Sequence, residues 1–268
     1  MSEAACAAVL QELCRELRLP SLLREHAAVG RSARDGGWPY EEYLRQVLEA
    51  EVLARRQGAA ARRLRAARFP EVKTLDDIDF QALQGVSRPK VLELASCAFV
   101  EKAEDVILAG PVGTGKTLLS VALGVEATRR RHDVLFLRTA ELVRNLQEAR
   151  DERTLGRLHQ RYHRIPLLIV DELGFVPLDR TGAELLFNLL AERHGRRSTI
   201  LTTNLAFSEW VQVFGSEKLT TALLDRLGAR SHVLTTRGDS YRTRRRRKPD
   251  IDPLKDPDAS VAPRKGPR

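Results

Sequence analysis

An α/β fold with a mainly parallel sheet, preceded by a small all-helical N-terminal domain, is what the sequence predicts, and three observations predict it. Up to about residue 68 the apolar residues recur at helical spacing, with almost no β-branched runs. From residue 70 onward five short apolar runs alternate with amphipathic stretches, the pattern of buried strands covered by helices on both faces. The first of those runs leads directly into a glycine-rich loop and then a helix, which is the context of a phosphate-binding turn.

In the N-terminal part, Leu10, Leu13, Cys14 and Leu17 fall at i, i+3, i+4 and i+7, and Leu44, Val47, Leu48 and Val52 nearly repeat that stripe. Residues 29–39, rich in Gly, Ser and Asp and ending in Trp38-Pro39, read as a connection. Phe69-Pro70 then breaks an arginine-rich helix, because proline lacks the N–H donor and disfavours helix in the residue before it. The helical domain is therefore expected over 1–69.

The strands are expected at 106–109, 134–137, 167–170, 199–203 and 232–235, with helices near 117–131, 140–163 and 181–195 between them. This module is expected to occupy 70–247. The segment 248–268 has five prolines and no apolar periodicity, and reads as a disordered basic tail.

Composition excludes several classes of function. The chain is 43% hydrophobic and 30% charged, and it has no uncharged apolar run of about 18 residues that could span a bilayer. Glu3, Glu12 and Glu16 interrupt the first apolar stretch, unlike a secretory signal, so a cytoplasmic protein with no membrane partner is expected. Cys6, Cys14 and Cys97 form no CxxC pair, which argues against a zinc site or a disulfide framework and for reduced, mostly core thiols.

Lys and Arg number 45 against 36 Asp and Glu, a net charge of +9, and the excess is unevenly placed. Ten basic and four acidic residues lie in 242–268, and Arg55, Arg56, Arg62, Arg63, Arg65 and Arg68 form a second concentration. A nucleic-acid backbone suits such patches. A solvated helix face and a solubilising tail suit them as well, and charge alone leaves both open.

The chemistry concentrates at three strand ends. Gly110-Pro111-Val112-Gly113-Thr114-Gly115-Lys116-Thr117 fits GxxxxGK[ST] between a predicted strand and a predicted helix. Its glycines let successive N–H groups point inward, the helix N-terminus adds positive potential, and the cradle is expected to run through Leu118. Lys116 supplies a charge for β and γ phosphates, and the Thr117 hydroxyl suits Mg²⁺, which prefers hard oxygen ligands. The run Leu167-Leu168-Ile169-Val170 ends in Asp171 and Glu172. Asp171 is the expected magnesium partner, and Glu172 the expected proton acceptor for an attacking water. A third run ends in Asn204, a candidate to orient that water, because functional groups of open parallel sheets collect at the carboxyl ends of strands. Ile78 and Phe80, just upstream of the first strand, are candidates for the adenine pocket.

Together these elements resemble an AAA+ P-loop NTPase. Further stretches narrow the resemblance to the IstB-like transposition helper ATPases, relatives of the DnaC/DnaI helicase loaders. They are Arg63-Leu-Arg-Ala-Ala-Arg-Phe-Pro70, Lys73-Thr-Leu-Asp-Asp-Ile-Asp-Phe80, Leu168-Ile-Val-Asp-Glu-Leu-Gly-Phe175, Phe207-Ser-Glu-Trp210, Val213-Phe-Gly215, Leu223-Leu-Asp-Arg-Leu227 and Gly238-Asp-Ser-Tyr-Arg242. The likeness runs from about 8 to 245. It implies that Arg226 is an arginine finger presented to a neighbouring subunit's nucleotide, and that Arg242 is a sensor arginine reaching the phosphates in cis. Leu118 stands where the family pattern has His, Ser216 where it has Asp, and Gly228-Ala-Arg230 where it has a Leu-His-His type sequence.

The resemblance also implies a homo-oligomer, assembled with ATP and Mg²⁺, that binds duplex DNA with weak sequence preference and serves a partner transposase. The rival implied by the same relatives is a helicase loader that binds single-stranded DNA. A small-molecule kinase sharing the loop is disfavoured, since no lid or acceptor site is apparent.

Overall fold

Three helices open the computed structural model, which describes residues 2–238 and 240: α1 (Glu3–Glu16), α2 (Pro20–Asp35) and α3 (Tyr40–Ala66). The Ser2 hydroxyl accepts the Ala5 N–H at 3.3 Å and so caps α1. Pro20 opens α2, where its missing N–H would have no helical partner anyway. The next two N–H groups, of Ser21 and Leu22, donate to the Glu51 carboxylate of α3 at 2.8 and 3.0 Å. Burial would raise the pKa of Glu51, but the Leu22 and Ser21 N–H groups and Arg55 outweigh it and hold the carboxyl below its usual range.

Helix α2 runs to Asp35, so the connection expected over 29–39 shrinks to 36–39. Val29 and Gly30 are half-buried, and a Cβ at Gly30 would sit 3.7 Å from the Tyr43 ring of α3. Packing against α3 thus overrides the weak local propensity of Gly30 and Ser32.

The chain leaving α3 joins the sheet directly. Ala67 is fully buried and its carbonyl accepts the Phe136 N–H at 2.8 Å, while the Phe69 ring packs edge-on against Phe136. A 3-10 turn (Leu75–Asp77) and helices α4 (Arg88–Ala95) and α5 (Ala98–Glu101) then lead to the first strand.

The five expected strands all form: β1 (Asp105–Ala109), β2 (Val134–Arg138), β3 (Leu167–Leu173), β4 (Ser198–Thr203) and β5 (Ser231–Thr235). Every pairing is parallel and the order is β2-β3-β4-β1-β5. After β1 the chain crosses to the far edge and works back, so the carboxyl ends of β1, β3 and β4 lie side by side. That is where open parallel sheets bind ligands.

Two apolar layers cover the sheet. Helix α6 (Lys116–Arg129) packs on one face with α4 and α5, around Val106, Leu108, Leu119, Leu123 and Ile169. On the other face, α7 (Thr139–Asp151), α9 (Arg180–Arg193), α10 (Val211–Phe214) and α11 (Glu217–Ala229) pack around Leu142, Leu168, Leu186, Leu201 and Trp210. The helix expected over 140–163 is two helices, α7 and α8 (Leu155–Arg164). Arg153 adopts φ 60° between them, and Thr154 N–H returns to the Ala149 carbonyl at 2.7 Å, a left-handed helix end with no glycine to announce it.

Cys14 and Cys97 are buried and Cys6 is exposed. Among the described residues no helix is long and apolar enough to cross a membrane. Arg242 and the segment 248–268 lie outside the described residues.

Candidate nucleotide site

The loop between β1 and α6 has the curvature its glycines permit. Gly110, Gly113 and Gly115 have φ of 139°, 82° and 95°, values that side-chain-bearing residues rarely adopt. Space is equally restrictive at two of them. A Cβ on Gly110 would lie 2.3 Å from the Thr236 carbonyl, and one on Gly113 would lie 2.2 Å from the Ser240 hydroxyl. Helix α6 starts at Lys116 without a side-chain cap, so its first-turn N–H groups are free to serve an anion.

Lys116 is 9% exposed, and its Nζ donates to the carbonyls of Gly110 and Pro111, both at 2.6 Å. Burial pulls its pKa below that of an ordinary lysine, and the nearby Asp171 charge opposes the shift. The loop thus holds a poised cation on its own carbonyls, which an incoming phosphate can replace as partner.

Opposite the loop, the Thr117 hydroxyl lies 3.0 and 3.1 Å from the two oxygens of Asp171. Asp171 is buried at the end of β3, and the Thr202 hydroxyl of β4 donates to its Oδ1 at 2.6 Å. A hydroxyl and a carboxylate meeting in this way form the hard-oxygen donor set that suits Mg²⁺.

In a regular strand Asp171 and Glu172 would face opposite sides of the sheet. Here the β3–β4 register steps from Val170 opposite Leu201 to Leu173 opposite Thr203, so Asp171 and Glu172 share the single residue Thr202. Glu172 has φ 62°, its N–H donates to the Thr202 hydroxyl at 2.9 Å, and its side chain turns out into the cleft. This is a β-bulge, which bends a strand and re-aims a side chain beside a site. Glu172 is also approached by Arg138 at the end of β2, with Nε to Oε2 at 3.7 Å.

Asn204, exposed just past β4, lines the same cleft with Glu172 and Phe175. Val112, Gly113, Thr114, Gly115, Lys116, Thr117 and Leu118 form one wall, and Asp77, Ile78, Asp79, Ala82 and Leu83 another. Ile78 therefore stands where the sequence expects it, but Phe80 does not. Its ring packs towards the core with the Arg88 guanidinium 5.6 Å from its centroid, so that flank of the cleft is built by Ile78 and Leu83 instead.

Arg226 sits on the exposed surface of α11 and is not among the residues lining this cleft. Among the described residues it has no ion-pair partner, so the carboxylate pairing open to a helix-surface arginine is not made. Arg242 lies outside the described residues; Ser240, two positions before it, lies against Gly113. Sequence reasoning missed Thr202, Arg138 and Thr236. A threonine inside an apolar strand was a visible signal for Thr202, whereas nothing local pointed to the other two.

The likeness to known proteins agrees with this geometry. A family model described as IstB-like ATP binding protein matches residues 12–249. A Pseudomonas aeruginosa protein named for insertion sequence IS21 and ATP binding is 43% identical over 212 residues, 79% of this chain and 80% of that one. A Geobacillus stearothermophilus protein, named likewise for insertion sequence IS5376, is 33% identical over 238 residues, 89% of this chain and 95% of that one. Among solved structures, the DnaC helicase loader superposes with a TM-score of 0.52 at 21% identity, over 64% of this chain and 100% of that one. DnaI gives 0.52 at 21% identity, over 66% and 94%. At such identity the likeness is one of fold alone. Because the family model spans most of the sequence and these relatives align over most of their own length, the chain belongs to the family of IstB-like ATP binding proteins.

Proposed function

We propose that this chain hydrolyses ATP, assembles as a homo-oligomer on duplex DNA with weak sequence preference, and assists a partner transposase during insertion-sequence transposition in the cytoplasm. The observation that carries the ATPase reading is the bulge that sets Glu172 at the cleft mouth beside the Asp171–Thr117 pair. Lys116 would meet the β and γ phosphates, and Glu172 would accept the proton of the attacking water that Asn204 orients. Thr117 and Asp171 would hold Mg²⁺, which when bound neutralises phosphate charge. Arg226 is assigned to the nucleotide of a neighbouring subunit, in keeping with its exposed place away from its own cleft. Arg242 is assigned to the same subunit's phosphates, in keeping with the contact of Ser240 on Gly113.

The proposed division of labour is a helical domain over 1–69, an ATPase module over 70–247 and a basic tail over 248–268. DNA binding rests on the net charge of +9 and on relatives named for insertion sequences. With 5% aromatic residues the chain is poor in base-stacking platforms, which favours duplex over single strand. A competition titration of equal-length duplex and single-stranded DNA, with and without ATP, tests the reading. Tighter duplex binding that requires ATP and weakens steeply with salt is expected. Tighter single-strand binding that is indifferent to nucleotide would overturn it in favour of a helicase loader.

A further inference from the structure

The hydroxyl of Thr236, the first residue after β5, lies 2.7 Å from the hydroxyl of Thr114 in the glycine-rich loop, and both residues are buried, at 1% and 6% exposure. Each hydroxyl also has a backbone carbonyl within reach. Thr114 lies 2.8 Å from the Pro111 carbonyl. Either hydroxyl can be the donor in the 2.7 Å contact between them. The Ala109 carbonyl is the other acceptor within reach of Thr236, at a longer 3.2 Å. Pro111, for its part, receives Lys116 Nζ at 2.6 Å on the same carbonyl oxygen. A relay of close polar contacts therefore runs from the end of β5, across the loop, to the lysine that faces the phosphates.

The hydroxyl is not what keeps β5 in place. Strand pairing with β1 and the Thr236 N–H to the Ala109 carbonyl, at 2.8 Å, do that through the backbone. What the hydroxyl adds is a hold on Thr114 and hence on the shape of the loop. We propose that Thr236 is a positioning residue for nucleotide binding: through Thr114 it fixes the curvature with which the loop presents its N–H groups and Lys116. The proposal rests on the ATP reading of this cleft, and it assigns a role to the segment after β5 that is independent of Arg242.

The test is calorimetric titration of Mg-ATP into the full chain carrying Thr236→Val, Thr236→Ser, Thr114→Val, or both valines, with thermal unfolding of each in the absence of nucleotide. Thr236→Val keeps the side-chain volume and is expected to bind about tenfold more weakly, roughly 1.4 kcal/mol, the size of one buried hydrogen bond. Its nucleotide-free unfolding midpoint is expected to stay within about 2 °C of wild type. Thr236→Ser retains the hydroxyl and should bind like wild type. Thr114→Val breaks both links of the relay, so the double variant should bind no more weakly than Thr114→Val alone. The proposal is overturned if Thr236→Val binds like wild type, if Thr236→Ser is as weak as Thr236→Val, if the two valine effects add, or if affinity falls only in step with nucleotide-free stability. A wild-type chain that binds no ATP would remove the nucleotide reading itself, a separate failure visible in the first titration.

Discussion

Arg138 Nε stands 3.7 Å from Glu172 Oε2 across the adjacent ends of β2 and β3. Both side chains are well exposed, 62% and 42%, so the pair adds little to stability. In the proposed reaction Glu172 would turn towards a water beside the phosphate and away from Arg138. Arg138→Ala is accordingly expected to leave ATP affinity and the unfolding midpoint unchanged and to raise steady-state phosphate release about two- to threefold, the effect of losing a weak surface pair. A large fall in rate would instead place Arg138 in the reaction itself.

Thr202 serves both carboxylate residues, donating to Asp171 and accepting the Glu172 N–H. Thr202→Val would strand that N–H inside the bulge, at about 1–3 kcal/mol. A fall in unfolding midpoint of roughly 2–4 °C per kcal/mol is expected, together with reduced ATP hydrolysis. Thr202→Ser, which keeps the hydroxyl, should restore both when the two variants are compared by calorimetry and phosphate release.

The three thiols should separate cleanly in alkylation. Burial pushes the Cys97 thiol up to about 11, Cys14 is enclosed, and Cys6 is exposed. The thiolate is the reactive form, so one fast-reacting thiol per chain is expected at pH 8 in the native state and three after denaturation. The sign for stability follows from the raised value: the Cys97 contribution is fully present below its ordinary 9.0 and is lost as pH rises through about 11. Mass spectrometry of the labelled peptides, with unfolding followed across that window, checks both points.

Much of this was legible in the sequence because the informative contacts are local. The five strands, the loop from Gly110 to Thr117 and the acidic end of β3 follow from apolar run length and from motif spacing within a few residues. What was not legible depends on contacts between distant segments. The bulge at Glu172 exists because Thr202, on another strand, pairs with two residues at once. Helix α2 persists through Gly30 because α3 covers it, and Phe80 turns away from the cleft towards Arg88. Arg153 ends α7 in a left-handed conformation without the glycine that would have announced it.

The exposed Arg226, unpaired among the described residues and outside its own cleft, makes a prediction about pairs of subunits. Arg226→Ala should bind ATP but hydrolyse it poorly, by about 10³ to 10⁵ if it matches other fingers supplied in trans. Lys116→Ala should not bind ATP. Mixing the two inactive variants should recover activity, because some interfaces then join an intact loop to an intact finger. No recovery at any ratio, with assembly shown by sedimentation, would remove Arg226 from a shared site.

The claim on which the rest depends is that Glu172 takes the proton while the loop and Asp171 hold the nucleotide. Glu172→Gln changes one oxygen to an amide on an exposed side chain and leaves the Thr117–Asp171 pair and the Lys116 carbonyl contacts in place. The direct measurement is ATP binding and single-turnover phosphate release on the same preparation of this variant and of wild type. Affinity within about threefold of wild type, with release slowed roughly 10² to 10⁴, is the predicted result. Unchanged release, or a loss of ATP affinity as large as that of Lys116→Ala, would contradict it.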